Sequence, residues 1–157
     1  MGPWLDVQTF SSRWELAVQN YPLRTFLIFE ASNGSVKEWT YATFDQLVNR
    51  IAHHLNDLGV RQGSSVHLAL TNSPAFVAIW IATIRLGAWI VPSDPFGTSV
   101  ELAEHISRTS PSVGISSPSR RENYLSAKPT MPVIEINEDD MDLEMIPHKS
   151  FNLWPEI

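Results

Sequence analysis

The feature that most constrains this chain is a repeated change of apolar period between Val66 and Ile136. Val66-His67-Leu68-Ala69-Leu70 is a short strand-like run, followed at once by a helical run that opens at Ser73-Pro74 and closes at Gly87. Serine suits an N-cap, proline the first helical position, where its missing N–H is not needed, and glycine the left-handed residue beyond a helix end. Ala88-Trp89-Ile90-Val91 reads as the next strand, and Thr98 with Glu101 three residues on is a capping box for another helix. Val113-Gly114-Ile115-Ser116 and residues 132–136 follow as strands around a weaker helix near residues 120–126. The order β-α-β-α-β-α-β predicts an α/β fold with a mainly parallel sheet flanked by helices, because parallel neighbours require crossovers that cover the sheet faces.

Ahead of this alternation, Phe10, Trp14, Ala17, Val18 and Tyr21 recur at three- and four-residue steps, an amphipathic helix ending at Pro22. Residues 25–29 and 36–41 are rich in β-branched and aromatic side chains, and the Asn33-Gly34 step between them supplies the positive φ angles of a hairpin turn. Asn33-Gly34-Ser35 also fits a glycosylation acceptor, but the turn accounts for those residues. From Thr43 the period is 3.6: Phe44, Leu47, Val48, Ile51, Ala52, Leu55 and Leu58 share a face, Thr43 and Gln46 read as a capping box, and Gly59 ends the helix. The expected organisation is one α/β subdomain over residues 1–136, with an amino-terminal helix and β-hairpin at its margin. Residues 137–157 follow as an acidic loop with two prolines and no period.

Charge and composition exclude several functions. The net charge of −6 resides in residues 129–157, where Lys149 is the sole base among seven acids; the preceding residues are neutral overall. No Lys/Arg stripe is left to neutralise a phosphate backbone, so nucleic acid is not an expected partner. With no cysteine, disulfides, thiolate nucleophiles and sulfur-ligated zinc are excluded. The apolar stretch from Ala75 to Pro92 is interrupted by Arg85 and Gly87, and neither flank reaches the roughly 20 residues of a membrane span. The first residues lack the basic and apolar regions of a secretory signal, so a cytoplasmic setting is expected.

Candidate ligands are few. His53 and His54 lie about 100° apart on a helix and cannot share one ion as an i, i+4 pair could. His67, His105 and His148 stand isolated, with no nucleophile or orienting acid nearby in sequence. The acids from Glu138 to Glu144 lack the glycine and alternating oxygen ligands of a calcium loop, and read as a solvated face. No metal and no catalytic residue is expected in this chain. The loop Ser93-Asp94-Pro95-Phe96-Gly97-Thr98 is the best binding candidate, because it leaves the carboxyl end of a strand and enters a helix amino terminus.

Two stretches carry a family likeness. Trp39-Thr40-Tyr41-Ala42-Thr43-Phe44 runs into Asn49-Arg50-Ile51-Ala52-His53-His54-Leu55 and Leu58-Gly59-Val60-Arg61-Gln62-Gly63. Asn72-Ser73-Pro74-Ala75-Phe76 is followed by Ile84-Arg85-Leu86-Gly87-Ala88-Trp89-Ile90-Val91-Pro92. In order and spacing these resemble the first two core motifs of the adenylate-forming superfamily, which includes acyl-CoA synthetases, luciferases of that type and the adenylation domains of peptide synthetases. Thr43 and Phe44 depart from the acid or amide and the leucine usual there, and Ser93 from a larger apolar residue.

The resemblance implies the partial amino-terminal domain of an acyl-CoA synthetase-like fold. It implies a complete enzyme that is an ATP-dependent carboxylic acid–CoA ligase, forming an acyl adenylate and then a thioester with ATP, Mg2+ and CoA. The family's phosphate loop with its lysine, its adenine and ribose contacts and its carboxy-terminal lysine have no counterpart in these residues. This chain is therefore expected to be inert alone and to bind none of those cofactors unaided. Its expected partners are the remainder of the ligase, large and small domains both, with self-association where apolar faces lack them. The resemblance places Asp94, Pro95 and Phe96 beside the nucleotide end of CoA. The alternative is a naturally short, non-catalytic interaction module that pairs with a separate chain carrying the catalytic motifs.

Overall fold

A computed structural model describes residues 8–140 and the strand at residues 152–153. The first half comprises α1 (Phe10–Asn20), β1 (Thr25–Glu30), β2 (Val36–Thr40), α2 (Tyr41–Asp57), β3 (Ser65–Ala69), α3 (Pro74–Arg85) and β4 (Trp89–Pro92). Then come α4 (Ser99–Thr109), β5 (Val113–Ser116), a 3-10 turn at Pro118–Arg120 leading into α5 (Arg121–Ser126), β6 (Val133–Glu135) and β7 (Asn152–Leu153). β1 and β2 form an antiparallel two-stranded sheet, and the main sheet has the order β4-β3-β5-β6-β7. β4, β3, β5 and β6 are mutually parallel, as the alternating pattern predicts, and β7 runs antiparallel to β6.

Strand alternation divides the core between two faces. Val66 and Leu68 of β3, Val113 and Ile115 of β5, and Ile134 of β6 join the apolar stripes of α2 and α3 and the aromatic residues Trp14, Trp39 and Phe44 in one large cluster. The opposite face carries a much smaller cluster of Ala69, Leu102, Tyr124 and Val133 under α4 and α5. Helix α3 is apolar nearly all round because it is buried between the sheet, α2 and α1. Among the described residues no helix is long and apolar enough to cross a membrane.

Helix boundaries follow their capping chemistry. Ser73 accepts from the Phe76 N–H with Pro74 at the helix start, Thr98 and Glu101 form a reciprocal box, and Gly59 and Gly87 adopt positive φ after α2 and α3. One boundary differs from expectation. The box of α2 is Thr40 with Thr43, not Thr43 with Gln46, so the helix begins one turn earlier, at Tyr41. Thr40 is extended, and its N–H donates to the Thr43 hydroxyl at 2.9 Å, so a threonine does here what an acid does in the usual box. A second difference lies in the acidic stretch read as a loop, where Asn152–Leu153 pairs with β6. Asp142, Glu144, Pro147, His148 and Pro155 lie outside the described residues.

Candidate functional site at the carboxyl edge of the sheet

The crossover from β3 reaches β4 on one side, and the next crossover returns past β3 to place β5 on its other side. The carboxyl ends of β3 and β5 therefore diverge at a topological switch point, where open α/β sheets form a crevice. A cavity of about 370 Å³ opens there, lined by Thr71, residues 117–119 and residues 137–139. These belong to the loops leaving β3, β5 and β6, so parallel alignment alone brings them to one edge.

The cavity's polar groups are tied to the scaffold. The Thr71 N–H donates to the Glu138 carboxylate, and the Ser32 hydroxyl of the β1–β2 turn donates to Asp139 at 2.6 Å. Ser117 and Ser119 hydroxyls lie 3.0 Å apart. Among the described residues no lysine or arginine lines the cavity, and the carboxylates of Glu138 and Asp139 already accept protein donors. Among the described residues no group of three or more His, Asp or Glu is placed to hold a metal ion.

The β4–α4 loop, with the sequence-derived residues Asp94, Pro95 and Phe96, lies at the same edge beyond β3, and none of the three lines the cavity. Asp94 accepts the Phe96 N–H at 2.8 Å, and the Gly97 N–H donates to the Asp94 carbonyl at 3.0 Å, so the loop folds back on itself before α4 begins. A Cβ on Gly97 would meet that carbonyl at 3.1 Å. Phe96 is 67% exposed, and the Arg120 guanidinium stands 4.3 Å from its ring centroid. The Asn123 amide donates to the Gly97 carbonyl at 2.7 Å, joining the loop to α5. At the helix start, the Thr98 N–H donates to the Glu101 carboxylate, which holds that carboxyl below its ordinary range.

Sequence reasoning finds this loop and misses the groups around it. Arg120, at the end of the 3-10 turn, and Asn123 of α5 lie more than twenty residues from Phe96 in a stretch with a weak helical signal, and packing of α5 beside α4 brings them there. Thr71, Ser117 and Asn137 are ordinary loop residues whose shared position follows from strand order, which period does not specify. The available signal is positional: each directly follows a buried strand in an alternating pattern.

Among the described residues the edge thus offers hydroxyls, an amide, an exposed ring and one neighbouring guanidinium, but no paired nucleophile and base. The described residues assemble no set of cations there to stabilise charge in a phosphoryl or acyl transition state.

A family model described as AMP-binding enzyme matches residues 14–152. A crotonobetaine/carnitine–CoA ligase of Salmonella paratyphi A is 35% identical over 85 residues, covering 54% of this chain and 16% of that ligase. The chain therefore spans about one-sixth of the length of such curated relatives. Among solved structures, the luciferase-like enzyme of the mealworm Zophobas morio superposes with a TM-score of 0.75 at 20% identity, covering 89% of this chain and 33% of that one. A benzoate CoA ligase of Burkholderia xenovorans gives 0.68 at 17% identity, with 78% of this chain and 24% of that chain covered. The crystallised N-terminal domain of FACL13 from Mycobacterium tuberculosis gives 0.69 at 22% identity, covering 76% and 30%.

Proposed function

Since the chain belongs to the AMP-binding enzyme family and carries the amino-terminal subdomain of an adenylate-forming enzyme, we propose that it is part of a carboxylic acid–CoA ligase. The complete enzyme joins a carboxylate to AMP and then to the thiol of CoA, using ATP and Mg2+. The observation that carries this reading is the 35% identity to a CoA ligase over 85 residues, 54% of this chain.

By itself the chain is inert in this reading. Among the described residues no cation lines the carboxyl-edge cavity, and Glu138 and Asp139 are already bonded within the protein, so these residues do not fit a triphosphate or its magnesium unaided. Asp94, Pro95 and Phe96 fit a different task, contact with the nucleotide end of CoA. The exposed Phe96 ring can stack on a base, and Arg120 brings five donors suited to a phosphate beside it. The setting is cytoplasmic, and the large exposed side chains Leu23, Ile28, Trp89 and Val100 await the rest of the ligase or a second copy.

The test is adenylate formation, read by pyrophosphate exchange over a panel of carboxylic acids that includes carnitine and crotonobetaine. The product of the uninterrupted native gene should exchange and then form a CoA thioester, while these 157 residues alone should do neither. Exchange by the 157-residue chain would overturn the assignment of inertness. An intact native mass of 17.7 kDa would instead favour the interaction module, whose acidic end would be its docking segment.

A further inference from the structure

Between the sheet and the α4–α5 layer lies a set of polar side chains that the carboxyl-edge site does not use. His67, in the middle of β3, is fully buried, and its Nδ1 is 2.6 Å from the Tyr124 hydroxyl of α5. Its other nitrogen, Nε2, is buried with no hydrogen-bond partner among the described residues. Tyr124 reaches this position because the residue beside His67 in the parallel ladder is Gly114. A Cβ there would stand 2.4 Å from the Tyr124 hydroxyl oxygen and 2.8 Å from the Met131 methyl. A second imidazole, His105 of α4, lies 2.9 Å from the hydroxyl of Ser93, the residue that leads from β4 into the Asp94 loop. Charge on His105 opposes charge on His67.

We propose that His67, Tyr124, His105 and Ser93 form an acid-sensitive latch that fastens the α4–α5 layer, and with it the loop of residues 94–97, to the sheet. Neutral His67 can accept the Tyr124 proton at Nδ1. Protonation turns Nδ1 from acceptor into donor, so the Tyr124 hydroxyl would have to turn its own proton away and accept instead, while a full charge sits in a site closed to water.

Among the described residues, the side-chain hydrogen bond of His67 goes to Tyr124 and not to a carboxylate. The in-register neighbours on β4 and β5 are Val91 and Gly114. From α4 the groups are His105, Glu101, which is near enough to feel His105 and committed to capping Thr98, and the exposed Glu104 and Arg108, which pair with each other. From α5 they are Tyr124, whose own ionisation is pushed upward by burial, Arg121, which pairs with Glu135 of β6 at 3.3 Å, and the exposed Glu122. Burial, and after it the charge of His105, lowers His67 from 6.5 to about 4.

Above pH 6.5 His67 is neutral whether the layer is closed or open, and the latch has its full strength. As pH falls from 6.5 towards 4, the open form takes up a proton that the closed form refuses, so the open form gains about tenfold per pH unit. This device needs only the fold, and stands apart from the CoA reading.

Amide hydrogen exchange on the 157-residue chain at pH 7 and pH 5, corrected for intrinsic rates, tests it. Protection in α4 and α5 should fall about 20-fold while α2 and α3 hold theirs. The His67→Gln variant should show no such acid response, and Tyr124→Phe should start less protected yet keep it. Unchanged α4–α5 protection in the natural chain, simultaneous loss in all helices, or a full response in His67→Gln would overturn the proposal. Should His67→Gln fail to fold, titration of the His67 ring by NMR decides: about 4 is expected, and an ordinary value near 6.5 would sink the latch.

Discussion

The two faces of the main sheet are built on different principles. Under α2 and α3, Val66, Leu68, Val113, Ile115 and Ile134 meet a dense apolar layer anchored by Trp14, Trp39 and Phe44. Under α4 and α5 the same strands turn His67, Gly114, Ser116 and Glu135 to a layer in which Leu102 is the only fully buried residue of α4. The first face gains stability from area removed from water, roughly 25 cal/mol per Å². The second depends on a few directional bonds, and buried polar groups of that kind are costly when one partner is lost. One strand therefore serves a rigid half and a conditional half through its alternate residues.

Substitutions can break this contrast. Phe44→Ala should have the largest effect, about 3–5 kcal/mol in denaturant unfolding, because the ring is fully buried against Trp14, Phe26 and Trp39. Leu102→Ala should cost about 2 kcal/mol, the low end for such a truncation. Equal losses at Phe44 and Leu102 would mean that the faces do not differ in this way. Gly114→Ala should cost about 1–3 kcal/mol by driving Tyr124 and Met131 outward, and should raise exchange in α5 before α2. Thr98→Ala removes the α4 cap and should cost about 1 kcal/mol. Phe96→Ala should leave stability within about 0.5 kcal/mol, since its ring is mostly in solvent, while weakening the CoA-dependent step of the complete enzyme. A large stability loss there would recast Phe96 as a packing residue.

The rigid half was also the legible half. The stripe from Phe44 to Leu55, the Ser73-Pro74 start and the Thr98–Glu101 box are local patterns, read within a few residues and found where expected. The α2 cap misled because Thr40 and Thr43 both qualify, and the helix takes the one that ends β2 in an extended conformation. The other half was opaque for a physical reason. His67 and Tyr124 are 57 residues apart, Ser93 and His105 lie on different elements, and each looks solitary until strand order is known. The β7 pairing has no apolar period to announce it. At the carboxyl edge the 94–96 loop was visible from its place between strand and helix, whereas the cavity beside it exists only through the crossing-back of β5.

Strand order also sets a timetable for synthesis. When Pro92 has been made, the chain already contains every buried member of the large cluster except Val113, Ile115, Ile134 and Ile136, and β3 already has β4 as a neighbour. Of the smaller cluster only Ala69 then exists, and His67 still lacks Tyr124 and His105. A nascent chain is thus expected to collapse on its dry side first and to hold an imidazole bare on the other side until α5 arrives. Protease challenge of ribosome-bound chains of increasing length would show this as two steps, resistance of α2–α3 first and of α4–α5 after Tyr124 emerges; a single late step would refute that order.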